Sequence, residues 1–429
     1  MGGVIRDYCR HFNHCQNCLT FMKKIPQTIK DTGIVTVGSG FSAILATVCI
    51  FLIARILGPA GFGLYTTAFA LVIIVIDAVE LAISGSIVKF ASQSTALSQG
   101  FVKFGFYLKI ILGLVITALF VLISQGLSLF LHPQLTRPLL VVSLFIPAVF
   151  LLRFPKSLLQ AQKKFLLDSA LEVTVSLVRL LSILGFYWLV QLTVITALLA
   201  YLFGALTAFL IGALMVSWKF LSAPITSEIK SHFFSFQKWL TFGFIIAAIH
   251  GRIDSVILLK FSGPEATGIY QAAFRFFMPF LQLAGALSLV FAPRFASFPV
   301  FSQKKTYLHK TAKLALGLGG LVLLLIPLAP FLVKFIFGTK YLSSIFPLQI
   351  LSLGFAAFIA GSPYASHLIY ARNKTKVFFI INLFQLGLLV SLDLIFIPIA
   401  GAVGAALALA STLIIINGLL AGIAFSAKV

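Results

Sequence analysis

"GPAGFGLYTTAF" (58–69) returns at 263–274 as "GPEATGIYQAAF". Gly58 and Gly263, Pro59 and Pro264, Gly63 and Gly268, Tyr65 and Tyr270, Ala68 and Ala273, and Phe69 and Phe274 match at a constant offset of 205 with no gap. Gly-Pro makes a tight turn and tyrosine favours a membrane interface. Those preferences explain why such a stretch works as a hairpin, but not why it occurs twice. Arg55 and Lys260 also correspond, one cation just before each turn. The pattern predicts a chain built from two related halves, each opening with two apolar segments joined by this hairpin.

The flanking sequence says what those segments are. Of 429 residues 60% are apolar and only 10% charged, and 45 are Phe. A water-facing domain carries about 25% charged residues, so this chain could not cover a soluble surface of its size. Mean hydropathy is +1.10. Apolar runs fall at 33–57, 64–88, 103–126, 138–160, 169–190, 194–218, 237–261, 266–297, 309–337, 344–371, 375–397 and 401–426. Each approaches the roughly 20 residues that cross a bilayer as a helix. They are continuously apolar, whereas barrel strands alternate. The expected fold is an all-α polytopic membrane protein of about 12 transmembrane helices, in two parallel six-helix repeats around a central cavity. Its expected parts are a cytoplasmic segment 1–32, a lobe 33–218, a cytoplasmic linker 219–236 and a second lobe 237–429.

Basic residues test the topology independently. With the N-terminus inside, 22 of the 32 Lys and Arg lie in cytoplasmic segments, four lie outside (Arg137, Lys260, Lys334 and Lys340) and six lie within spans. Misplacing one span would scramble that alternation, so both termini are expected inside the inner (plasma) membrane. The formal charge of +22 therefore reads as membrane topology. No basic-aromatic or helix-turn-helix motif accompanies it, and nucleic acid is not an expected partner.

Cys9, Cys15 and Cys18, with His11 and His14, match no zinc spacing, and no metal or other cofactor is expected. Met22 opens "MKKIPQTIKDTG", which runs directly into the first span, so residues 1–21 are expected to be an extension or a misplaced start. "GSGFSA" (38–43) mimics a dinucleotide fingerprint but follows no strand. With no Walker A segment, nucleophile triad or long outer loop, the chain does not read as an enzyme.

Ionisable residues within spans are costly and usually face a cavity or a partner. Arg252, Arg275, Arg179 and Lys109 are candidates to bind an anionic passenger, because moving a phosphate through a low-dielectric core demands cationic hydrogen bonds. The competing reading for each is an interhelical ion pair, or snorkelling for Arg55 and Lys260. Arg252 and Asp254, two positions apart on a helix, face opposite sides and need separate partners. Asp77, Glu80 and Asp254 are candidates for ion coupling. Asp77 and Glu80 share one face with Ser84 and could instead pair with a lobe-bridging arginine. Glu172, Ser176 and Arg179 form a comparable stripe, with the Glu and Arg within reach of each other.

"ARILGPAGFGLYTTAF" (54–69) resembles the first-hairpin signature of polysaccharide-export flippases, within the multidrug/oligosaccharidyl-lipid/polysaccharide exporter superfamily. "RIDSVILLKFSGPEATGIYQAAFRF" (252–276), "LLQAQKKF" (158–165) and "IPIAGAVGAALALAS" (397–411) resemble further segments of the same proteins. The resemblance covers roughly residues 23–426. It implies two lobes around a cavity that opens alternately to either side, with an oligosaccharide on a polyprenyl-pyrophosphate carrier as passenger. The partners it implies are that lipid-linked sugar, membrane lipid, the polysaccharide polymerase and chain-length machinery, and a proton or sodium ion. An ion-coupled multidrug or small-molecule exporter is the alternative. The loop "KFASQSTALSQGFVKF" (89–104) lacks the basic motif of a major-facilitator carrier.

Overall fold

The computed structural model describes residues 15–93, 97–297, 301–372 and 374–425, and among them every regular element is a helix. Most of the segment expected to be an extension, with Cys9, lies outside the described residues. The elements are α1 (Cys15–Ala91), α2 (Ser98–Leu131), the short α3 (Thr136–Ser143), α4 (Phe145–Ala161), α5 (Phe165–Leu189) and α6 (Val194–Met215). They continue as α7 (Ser227–His250), α8 (Ile253–Arg275), α9 (Met278–Ser297), α10 (Phe301–Leu323), α11 (Leu325–Ile336), α12 (Ile345–Ser366) and α13 (Thr375–Phe425).

Among the described residues eight helical stretches are long and apolar enough to cross a membrane, nine with the bent α10–α11 pair taken as one. Three of them run 55, 49 and 49 residues. A straight rod of 50 residues would be about 75 Å long, more than twice the roughly 30 Å hydrocarbon core. Each of these three contains a glycine at positive φ: Gly58 (70°), Gly263 (79°) and Gly401 (53°). Side chains across the breaks show the chain doubling back. Asp254 accepts a hydrogen bond from the Tyr270 hydroxyl, and Gln271 donates to Ser255, although each pair is 16 residues apart. A Cβ at Gly404 would fall 2.1 Å from the Phe396 carbonyl oxygen. Cutting the three long stretches at these glycines, with the piece after Gly263 continued by α9, gives twelve segments among the described residues. In two of the turns the glycine supplies a backbone that an L side chain avoids, and the proline after it starts the next helix without wasting a donor.

Reversal leaves carbonyls at the helix ends without intrahelical partners, and other segments answer them. The Tyr341 hydroxyl donates to Ala54 at 2.7 Å and Ser262 donates to Ile397 at 3.2 Å. Lys260 donates to the Phe130 carbonyl and sits 4.1 Å from the Phe130 ring centroid. Lys260 is exposed and makes both contacts from the helix end. The stretch expected as one rod at 309–337 instead bends by 46° between α10 and α11. Pro327 and Pro330 explain it, since each removes a helical donor. Pro330 frees the Ile326 carbonyl, which the Gln349 amide takes at 3.1 Å.

Packing is inside-out relative to a soluble protein. On α2, Ile111, Leu114, Leu119, Leu122 and Leu129 are exposed, while Lys109 and Ser128 are fully buried. Polar residues point inward and leucines face lipid. Against the interfacial expectation, Tyr65 and Tyr270 are also buried. Tyr65 stacks between Phe62 and Phe69 and meets Tyr201, while Tyr270 binds Asp254.

The two copies of the repeated stretch touch each other. A Cβ on Gly63 would lie 1.9 Å from the Pro264 carbonyl oxygen, and a Cβ on Gly268 would lie 1.9 Å from that of Pro59. The contact is reciprocal, as a two-fold exchange of the two stretches would make it. Backbone meets backbone, so no side chain can swing aside. Gly63→Val and Gly268→Val are each expected to reduce folded protein in the membrane several-fold, measured by fluorescence-detected size exclusion. Wild-type abundance together with wild-type flux in both variants would show that the crossing tolerates separation.

Candidate functional site

Charges buried among the helices of the first half form a chain. Lys109 on α2, with no exposed surface, donates to Glu80 on α1 and to Ser84 at 2.8 Å. Arg153 on α4 donates to the other Glu80 oxygen at 2.7 Å and to Asp77 Oδ1 at 3.2 Å. Arg252, at the break between α7 and α8, donates to Asp77 Oδ2 at 3.2 Å. Helix periodicity sets the order: Asp77, Glu80 and Ser84 lie three and four residues apart on one face of α1. Arg153 carries the chain to Asp77, and Arg252 brings in the second half.

Beside this chain lies a cavity of about 600 Å³. Its charged lining is Arg252, Arg275 and Asp254, joined by His250, and Asn382, Gln385 and Gln271 supply amides. Thr66, Phe69, Ala70 and Ile73 from the helix after the first Gly-Pro turn also line it. Arg275 presents a buried Nε without a hydrogen-bond partner among the described residues. Asp254 is held by Tyr270 and by the Ser255 backbone amide at 2.7 Å. Arg252 and Asp254 thus have separate partners, as their spacing requires.

The other candidates sit elsewhere. Lys109 is enclosed with Glu80 and does not line this cavity. Arg179 lies 3.7 Å from the centroid of the Tyr201 ring. Glu172 binds Lys156 at 2.8 Å and Ser39 at 3.1 Å, so it does not pair with Arg179. Lys156 reaches it from α4, a tertiary contact that spacing along α5 could not reveal. Arg55 is exposed near the first turn. Two residues outside the candidate set matter as well. Arg153 is the hub of the charge chain. Asp393 on α13 is fully buried, has both carboxylate oxygens without a hydrogen-bond partner among the described residues, and lies within electrostatic reach of Asp254. An aspartate inside an apolar span was the available signal for it. Among the described residues no group of three metal-ligating side chains occurs.

A family model described as "Polysaccharide biosynthesis protein" matches residues 28–305. The chain belongs to that family. Comparison with curated protein sequences finds no match. Among solved structures, the chain is similar to the lipid II flippase MurJ in an inward closed conformation, with a TM-score of 0.76 at 18% identity over 91% of this chain and 87% of that one. It is also similar to an inward-facing multidrug resistance MATE family transporter of the MOP superfamily, with a TM-score of 0.73 at 15% identity over 87% and 92% of the two chains. An outward-facing MATE structure overlays at 0.62, with 16% identity over 92% and 94%. At these identities the likeness shows the fold, an all-helical multi-pass membrane architecture like that of these proteins.

Removing one partner from a buried ion pair leaves an uncompensated charge and typically costs about 3–5 kcal/mol. Lys109→Leu is expected to destabilise the protein on that scale. The double change Lys109→Leu with Glu80→Leu is expected to recover part of the loss, read as melting temperature in detergent. Equal melting of wild type and Lys109→Leu would mean that Glu80 does not depend on Lys109.

Proposed function

We propose that this protein is a flippase that carries polyprenyl-pyrophosphate-linked oligosaccharide repeat units across the inner membrane for surface polysaccharide synthesis. The observation that carries this reading is the pair of arginines, Arg252 and Arg275, lining a cavity whose acid, Asp254, is already occupied by hydrogen bonds. A diphosphate stripped of water needs donors that replace its hydration, and guanidinium forks match its oxygens. Asn382, Gln385 and Gln271 offer the amide donors and acceptors that sugar hydroxyls require, and Phe274, Phe355 and Phe358 supply apolar faces. The tail stays in lipid, which the protein's apolar outer surface already faces.

Transport follows from rocking the lobes 33–218 and 237–429, with both termini in the cytoplasm, about the close crossing at Gly63 and Gly268. The lipid II flippase among its structural relatives and the polysaccharide family both support this cargo class. The MATE likeness favours a second reading, ion-coupled export of small molecules. A cavity with more arginine than free carboxylate suits a cationic drug poorly.

Coupling is assigned to the Asp254–Tyr270–Asp393 cluster. A carboxylate sealed among apolar groups needs a counter-cation or a proton, and Asp393 has no basic partner in hydrogen-bond contact among the described residues. Asp77 and Glu80, the other candidates, already have arginine and lysine partners.

Arg252→Ala and Arg275→Ala are each expected to lower surface glycan at least tenfold at normal expression, measured by immunoblot of the polymer. Normal polymer from both would remove the arginines from the passage. In reconstituted vesicles Asp393→Asn is expected to make flipping of a lipid-linked sugar insensitive to imposed proton and sodium gradients. A retained gradient response would exclude Asp393 as the coupling group.

A further inference from the structure

Arg252 has two claims on it. It lines the cavity, where the passenger's phosphates would be received, yet its guanidinium is bonded to Asp77, a residue of the other half. It stands at the break between α7 and α8 with non-helical backbone angles (φ −148°, ψ −4°), and its side chain is about one-third exposed. It is therefore placed to change partners without disturbing a helix ladder. Asp77 is 17% exposed, the most accessible acid of the charge chain, whereas Glu80 is sealed.

We propose that Asp77 is a specificity-determining residue: it occupies Arg252 until a passenger arrives, and only a multiply charged phosphate displaces it. This rests on the diphosphate reading of the cavity. The arithmetic of the chain supports the exchange. Lys109 and Arg153 balance Glu80 and Asp77, two cations against two anions, so Arg252 is the surplus charge. When Arg252 leaves, Asp77 keeps Arg153 on its other oxygen, and the first half retains a neutral, bonded cluster. No bare charge is stranded, which is the usual penalty for opening a buried pair.

On the cavity side the released guanidinium joins Arg275, whose Nε has a donor to spare. Two arginines facing one diphosphate satisfy several of its oxygens, which a single carboxylate cannot match. A neutral or singly charged passenger gains too little at Arg252 to outcompete Asp77. Displacement also breaks an ion pair that joins the two halves, so the same charge test that admits the passenger loosens the halves for movement.

The test uses the full chain in lipid nanodiscs and calorimetric binding of inorganic pyrophosphate and of dimethyl phosphate, a monoanion. Wild type is expected to prefer pyrophosphate strongly. Asp77→Asn is expected to tighten dimethyl phosphate binding about tenfold and to narrow the preference, while Arg252→Ala loses pyrophosphate binding. If Arg252→Ala loses pyrophosphate but Asp77→Asn leaves both affinities unchanged or weaker, the exchange is overturned and the diphosphate reading stands. If wild type does not bind pyrophosphate, the diphosphate reading itself fails. Should Asp77→Asn not fold, Asp77→Ser decides on the same two affinities: tighter dimethyl phosphate binding is expected, and unchanged or weaker binding of both ligands would overturn the exchange.

Discussion

A charge carried into a medium that cannot solvate it must be answered by another charge, and this requirement organises the interior. Glu80 is buried only because Lys109 and Arg153 reach it from two other helices. Arg153 in turn engages Asp77, and Asp77 engages Arg252 in the second half. Each member fixes the neighbour that neutralises it, so α1, α2, α4 and the α7–α8 break are held in register by electrostatics that water would screen. Buried pairs of this kind contribute little net stability against an apolar core. What they provide is a defined arrangement, and a contact between the halves at Arg252 and Asp77.

The second constraint is steric. At Gly63 and Gly268 each helix rests on the other's Gly-Pro turn with no side chain between them. Without a hydrophobic drive between helices in lipid, such close approach is where packing attraction is gained. The cavity lies beside this crossing, with Thr66, Phe69 and Ile73 forming part of its wall. The repeated stretch therefore builds both the close crossing and part of the cavity's wall.

Aromatic residues take a role that a soluble protein would give to aliphatic packing. Tyr65 and Tyr270 occupy matching positions in the two copies but do different work. Tyr65 sits among Phe62, Phe69 and Tyr201, with Arg179 over the Tyr201 ring. Tyr270 hydrogen-bonds Asp254. Matching positions in the two copies thus hold different contacts, aromatic in the first and a buried carboxylate in the second.

The helical membrane character was legible in the sequence because lipid leaves one solution for long apolar runs: every backbone group must bond within its own helix. The turn positions were legible because Gly58-Pro59 and Gly263-Pro264 are chemically obliged to break a helix. Arg252 and Arg275 were legible as cavity candidates because bare charge in a span must have a purpose. Pairing was not. Lys109 with Glu80, Lys156 with Glu172, and Arg179 with Tyr201 join residues far apart in the chain, and spacing along one helix says nothing about which helix lies opposite. The burial of both hairpin tyrosines and the lack of a hydrogen-bond partner for Asp393 among the described residues likewise depended on neighbours. Periodicity and turn chemistry are local properties that the chain carries in its own residues. The partner that neutralises a charge is chosen only when helices pack, and that choice belonged to the tertiary structure.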